Sequence, residues 1–183
     1  MQPVPALQAQ IWLAQGKLTE ALDWVQKEGL AVDDALSYLR EYHHLTLARI
    51  LIAQYRQDRA EEVVRQATGL LERLRQAAEA GDRARSLIEI LVLQALAYQE
   101  QGEIGTAVAA IQRALSLAES EGYVRLFVNE GQPMRELLAT CLTQGADPEY
   151  VTRLIQAIDP APDTTSAPPD PNQLLIEPLS DRE

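Results

Sequence analysis

Between Ala6 and Gln132 the sequence runs for 127 residues without a single proline, although the chain holds ten. Proline removes a helical hydrogen bond and clashes with the preceding turn, so its exclusion over so long a run leaves helix after helix as the economical fold. Leu and Ala, both good helix formers, number 53 in all. Strands would require alternating β-branched or aromatic runs closed by Gly/Asn turns, and none of convincing length occurs. The reading is an all-α chain of 183 residues, long enough to bury a core without metal or disulfide staples.

The faces of these helices are legible. In RAEEVVRQATGLLERLRQAAEAGD, residues Ala60, Val63, Val64, Ala67, Leu70, Leu71, Leu74 and Ala78 recur at steps of three and four, which buries one stripe and wets the Arg/Glu face. The next segment, SLIEILVLQALAYQ, is apolar nearly all round, as befits an inner helix with neighbours on both sides. Asp82 is placed to be its N-cap, and Asp147-Pro148 offers another cap followed by proline at the first helical position.

Outer and inner helices thus alternate, and they repeat. Ala14-Gln15 with Ala21 aligns on Ala53-Gln54 with Ala60, and then on Glu100-Gln101 with Ala107, at spacings of 39 and 47. The clearest copy runs Ala95, Tyr98, Gly102, Ile104, Ala107, Ile111, Ala114; the first shows Ala9, Trp12, Gly16, Leu18, Ala21 and Val25, and the middle one lacks the turn glycine. These positions resemble the tetratricopeptide pattern, with units longer than its usual ~34 residues. The expected architecture is a right-handed α-solenoid of tetratricopeptide-like helix pairs over residues 1–158, closed by a C-terminal helical cap.

Residues 159–175 have the composition of a Pro/Asp-rich linker. Beyond it, Ser180-Asp181-Arg182-Glu183 is a capping box with Leu179 in the staple position, the written start of a helix. Of the net charge of −11, six acids and Arg182 in the last 25 residues supply −5, leaving the helical body at −6. That acidity argues against nucleic-acid or anionic-membrane contact by this segment. No apolar stretch approaches the ~18 residues of a membrane span, the N-terminus lacks a secretory signal, and the lone Cys141 excludes a disulfide framework, so a soluble, cytoplasmic chain is expected.

The stretches REYHHLTLARILIAQ (40–54), SLIEILVLQALAYQEQG (86–102), ALSLAESEGYVRLFVNEGQPM (114–134) and IEPLSDRE (176–183) resemble the helical-repeat region of large bacterial ATP-dependent transcriptional regulators of the MalT type. In that family a P-loop ATPase precedes the superhelix and a LuxR-type helix-turn-helix follows it. The opening of the latter is similar to residues 178–183, which marks 176–183 as a truncated start of such a domain. The resemblance implies a signal- or inducer-sensing and protein-interaction domain of a transcriptional activator. It would receive a small-molecule inducer or a regulatory protein and relay the event to the neighbouring ATPase and DNA-binding domains. No phosphate-binding Gly-x-x-x-x-Gly-Lys-Ser/Thr is present, so ATP is expected only for the ATPase domain and no cofactor for this chain. A generic peptide-binding adaptor unrelated to transcription is the alternative, and a helix-turn-helix encoded past Glu183 would decide between them.

No Gly-x-Ser-x-Gly, His-Glu-x-x-His or Ser-x-x-Lys occurs, so no catalytic residue and no enzyme is expected. Adjacent His43 and His44 point about 100° apart on a helix and cannot share a metal as an i, i+4 pair can; packing is the simpler role. Cys141, between Leu137, Leu138 and Leu142, reads as core, as do Trp12 and Trp24. Gly102-x-x-Gly105 is too little for a dinucleotide loop.

Counting back from Gly102 puts Glu89, Val92, Leu96, Gln99 and Glu100 on the concave face, and counting from Ala60 puts Tyr42, Leu45, Arg49 and Ile52 there. Arg49 and Glu89 lie in strongly apolar sequence, where an unpaired charge costs several kcal/mol. Either they pair to fix the stacking of repeats or they await a polar ligand or peptide, and Arg125 with Glu130 poses the same question. Tyr42, Arg49, Glu89, Val92, Gln99 and Arg125 are therefore the candidate groove residues.

Overall fold

The computed structural model describes residues 4–119, 121–144 and 147–159; apart from Asp159, the expected linker lies outside them, as do the residues resembling a helix-turn-helix start. Nine α-helices follow one another among the described residues, with no strand: α1 (Val4–Ala14), α2 (Leu18–Glu28), α3 (Glu41–Asp58), α4 (Glu61–Ala80), α5 (Ala84–Glu100), α6 (Ile104–Glu119), α7 (Arg125–Val128), α8 (Gln132–Thr143) and α9 (Pro148–Ile158). A 3₁₀ turn, Tyr38–Arg40, leads into α3.

The helices pair α1 with α2, α3 with α4 and α5 with α6, and the inner members stack directly, α1 on α3 and α3 on α5. Alanine sits where helices approach most closely: Ala6, Ala9, Ala21, Ala48, Ala67, Ala95, Ala107 and Ala114 are all fully buried. Small side chains there bring backbones together while Leu, Ile and Val fill the space between layers. Helix α5 is buried on nearly every side, by α3, α4, α6, α7 and α8.

The turns fix the true period. Gly16, Arg59 and Gly102 each occupy the left-handed region, with φ of 72°, 51° and 79°. Successive turns are thus 43 residues apart twice over (59 − 16 and 102 − 59). Four residues before each turn stands an aromatic, Trp12, Tyr55 and Tyr98, whose carbonyl accepts the closing bond, from Lys17 N at 2.8 Å, Arg59 N at 2.9 Å and Glu103 N at 2.9 Å. Five residues after each turn stands a buried small residue, Ala21, Val64 and Ala107.

The middle copy therefore aligns on Val64 and not on Ala60, which is an exposed N-cap; the spacings of 39 and 47 were a shift of four residues, one helical turn. Arginine at the glycine position hid the register. An L-residue adopts this conformation at a cost of about 1 kcal/mol, and Arg59 has compensating contacts to the Glu100 carbonyl at 3.0 Å and over the Tyr55 ring.

A second correction concerns Asp82. It does not cap α5 but takes the left-handed conformation at the α4–α5 turn (φ 49°), with Arg83 in the cap position. Asp147 does cap α9, accepting from Glu149 N and Tyr150 N. Helices α7 and α8 pack against α5 and α6, α9 packs on α7 and α8, and together they cover the C-terminal end of the stack. Among the described residues no helix is long and apolar enough to cross a membrane.

Candidate functional site

The inner helices α1, α3 and α5, with α7 at one end, line an open cavity of about 470 Å³. Helix α1 contributes Gln10, Leu13 and Ala14; α3 contributes Tyr42, Arg49, Ile52, Ala53 and Arg56. Helix α5 adds Arg85, Glu89, Leu93 and Leu96, and α7 with its following turn adds Arg125, Leu126, Asn129 and Glu130. Residues 85, 89, 93 and 96 follow one another at helical steps of four, four and three, so one stripe of α5 supplies the wall.

Its centre is an ion triad. Arg49 donates to Glu89 Oε1 at 2.9 Å and also to Glu130. Burial works against the guanidinium charge, but the two carboxylates outweigh it and hold Arg49 above its ordinary range. Beside it, burial and then the charge of Glu89 push the Tyr42 phenol upward.

Inner helices are tied by further polar rungs. Gln10 of α1 donates to the buried Thr46 hydroxyl at 3.0 Å. Glu41 of α3 meets Arg83 at 2.9 Å, and Glu100 of α5 meets Arg56 at 2.7 Å. Glu41, Arg49 and Arg56 of α3 meet Arg83 at the N-cap of α5 and Glu89 and Glu100 within it, 40 to 44 positions later, so the two helices run parallel, one full repeat apart.

The sequence candidates divide accordingly. Tyr42, Arg49, Glu89 and Arg125 line the cavity, as do Ile52, Leu96 and Glu130. Val92 does not: it is fully buried in the core, because the wall of α5 passes through Leu93. Gln99 and Glu100 lie beyond the cavity's end on α5, and Leu45 is buried beneath it. Gln10, Arg56 and Arg85 were not foreseen. Arg85 stands one helical turn before Glu89 and could have been found by extending that stripe backwards.

The remaining singled-out residues belong to the packing. Trp24 stacks on the His43 ring at 6.0 Å and 14°, and burial lowers the imidazole's proton affinity. His44 is fully buried, with Nδ1 3.0 Å from the Arg40 carbonyl and Nε2 3.4 Å from Asp34. Adjacent imidazoles thus turn to different neighbours, as successive helical positions must. Cys141 is buried, and desolvation pushes its thiol up to about 11.

Parallel stacking of paired helices around a concave polar cavity defines a helical-repeat protein of the tetratricopeptide class. The family described as the MalT-like TPR region matches residues 1–144, and the chain belongs to it. No curated protein and no solved structure matches the chain.

Proposed function

We propose that this chain is an effector-sensing and protein-interaction domain of a LuxR-type bacterial transcriptional activator, acting in the cytoplasm by binding and not by catalysis. One observation carries the reading: a single cavity touches every inner helix from α1 to α7, and Arg49 at its centre bridges α3, α5 and the turn after α7. A small-molecule inducer or regulatory protein seated there contacts successive repeats at once and favours one curvature of the stack over another, a two-state bias. Neighbouring ATPase and DNA-binding domains, which the family resemblance implies, would read that curvature. ATP would serve the ATPase domain, and this segment would require no cofactor of its own. Its acidic body agrees with a part that touches neither promoter nor membrane.

The test is a thermal-shift screen of the 183-residue chain against metabolites, peptides and candidate regulatory proteins. A true effector at one hundred times its dissociation constant stabilises the fold by about 2.7 kcal/mol. Failure of every small molecule, every peptide and every candidate regulatory protein to shift the transition would overturn the reading.

A further inference from the structure

The charges lining the cavity do not balance. Four arginines, Arg49, Arg56, Arg85 and Arg125, face two glutamates, Glu89 and Glu130, in a chain whose net charge is −11. Arg49 takes both of those glutamates, and Arg56 is matched from outside by Glu100. Arg85 and Arg125 are left: among the described residues neither has a carboxylate within ion-pair distance. Arg85 stands one helical turn before Glu89 on α5, and Arg125 opens the short helix whose following turn carries Glu130; both of those carboxylates are committed to Arg49.

Two uncommitted guanidinium groups thus share one concave wall, whose remaining surface includes Ile52, Leu96 and Leu126. Like charges in such a place repel one another and raise the local concentration of anions. Guanidinium groups bind carboxylates and phosphates through paired hydrogen bonds. We infer that the cavity takes a small organic anion, its carboxylate or phosphate held by Arg85 and Arg125 and its body laid on the aliphatic wall. The volume of about 470 Å³ falls in the range of metabolite-sized sites. This inference rests on the effector-binding reading above and names the chemical class of the effector.

Calorimetric titration of the 183-residue chain with glutarate, citrate and inorganic phosphate, with neutral glycerol as control, tests it. At least one anion binds, glycerol does not, and the preference between glutarate and phosphate tells which head group the site favours. Arg85→Ala and Arg125→Ala each weaken that binding about tenfold or more, the loss expected of a charge-assisted hydrogen bond. Both residues are exposed, so the variants keep their fold. Arg65→Ala, which removes the same charge from the exposed side of α4, changes the affinity by less than about twofold. Absence of anion binding up to about 10 mM, or equal weakening by all three variants, overturns the anion site. If neutral metabolites or peptides then still shift the wild-type transition, the effector-binding reading stands without it.

Discussion

At the scale of single residues, Arg49 carries the most tension. Stepping by 43 from Arg49 lands on Ala6 in one direction and Val92 in the other, both fully buried apolar residues. A charge has been placed at a core position, and its cost is met by Glu89 and Glu130. Removing one partner of such a cluster strands the others, which costs about 3 kcal/mol or more. Arg49→Ala should therefore lower the urea midpoint by an amount of that order. Replacing the whole cluster, with Arg49→Val, Glu89→Gln and Glu130→Gln together, should recover most of the loss, since the other repeats keep this position apolar. A triple variant as unstable as the single one would show that the aliphatic position is worthless here. The need of Arg49 and Glu89 for partners was legible from their apolar surroundings. Glu130 as the second partner was not, because it sits 81 residues away on a turn whose position depends on the packing of α7. That the wall passes through Leu93 and not Val92 is hidden for a related reason: a helix apolar nearly all round gives little pattern from which to count its faces.

At the scale of elements, polar clusters fasten helices that apolar packing alone would let slide. Besides the rungs between α3 and α5, the outer helix α4 carries a chain in which Arg75 binds Glu72 and Glu79, each at 2.6 Å, and Glu79 accepts Arg113 of α6 at 2.6 Å. The Arg75 hydrogen bonds hold the Glu72 carboxyl down to about 2, against an ordinary 4.5. A carboxylate depressed in the folded state stabilises the fold above its unfolded value, and that contribution is lost as pH falls through the folded one. The window thus runs from about 4.5 down to about 2. Glu72 is well exposed, so solvent screening keeps its worth below about 1 kcal/mol. Glu72→Gln should lower stability by that small amount near neutral pH and flatten the acid side of the stability profile within the same window. Urea midpoints of both proteins measured down the pH scale check this, and parallel profiles would refute it. The amphipathic face of α4 was plain in the sequence because its 3.6-residue pattern is local. The partner of Glu79 on α6 was not, since Arg113 lies 34 residues away and meets it only through the way the two helices sit against each other.

At the scale of the molecule, the 43-residue period makes the chain quasi-one-dimensional: each helix pair is held chiefly by its neighbours, with the Arg49–Glu130 pair reaching past the third pair to the turn after α7. The all-helical stack could be read from proline exclusion and alternating faces, whereas its exact register could not, because Arg59 replaced the glycine that marks the other turns. This architecture also sets where the fold opens. Helix α5 is enclosed by five other helices, while α1 meets only α2 and α3 strongly. Opening should begin at the α1–α2 end and reach α5 last, so amides of α5 should exchange at the global unfolding free energy and those of α1 and α2 at a lower one. Thr46→Val sharpens the test, because it removes the acceptor for Gln10 of α1 and with it a polar tie between the first and second inner helices. The loss of about 1 kcal/mol should appear as reduced protection in α1 and α2 and, because α5 exchanges at the global unfolding free energy, equally in α5. A loss confined to α5 would mean that α1 and α2 do not open by leaving α3, and an effector in the cavity would then have no separate motion of the first repeat to restrain.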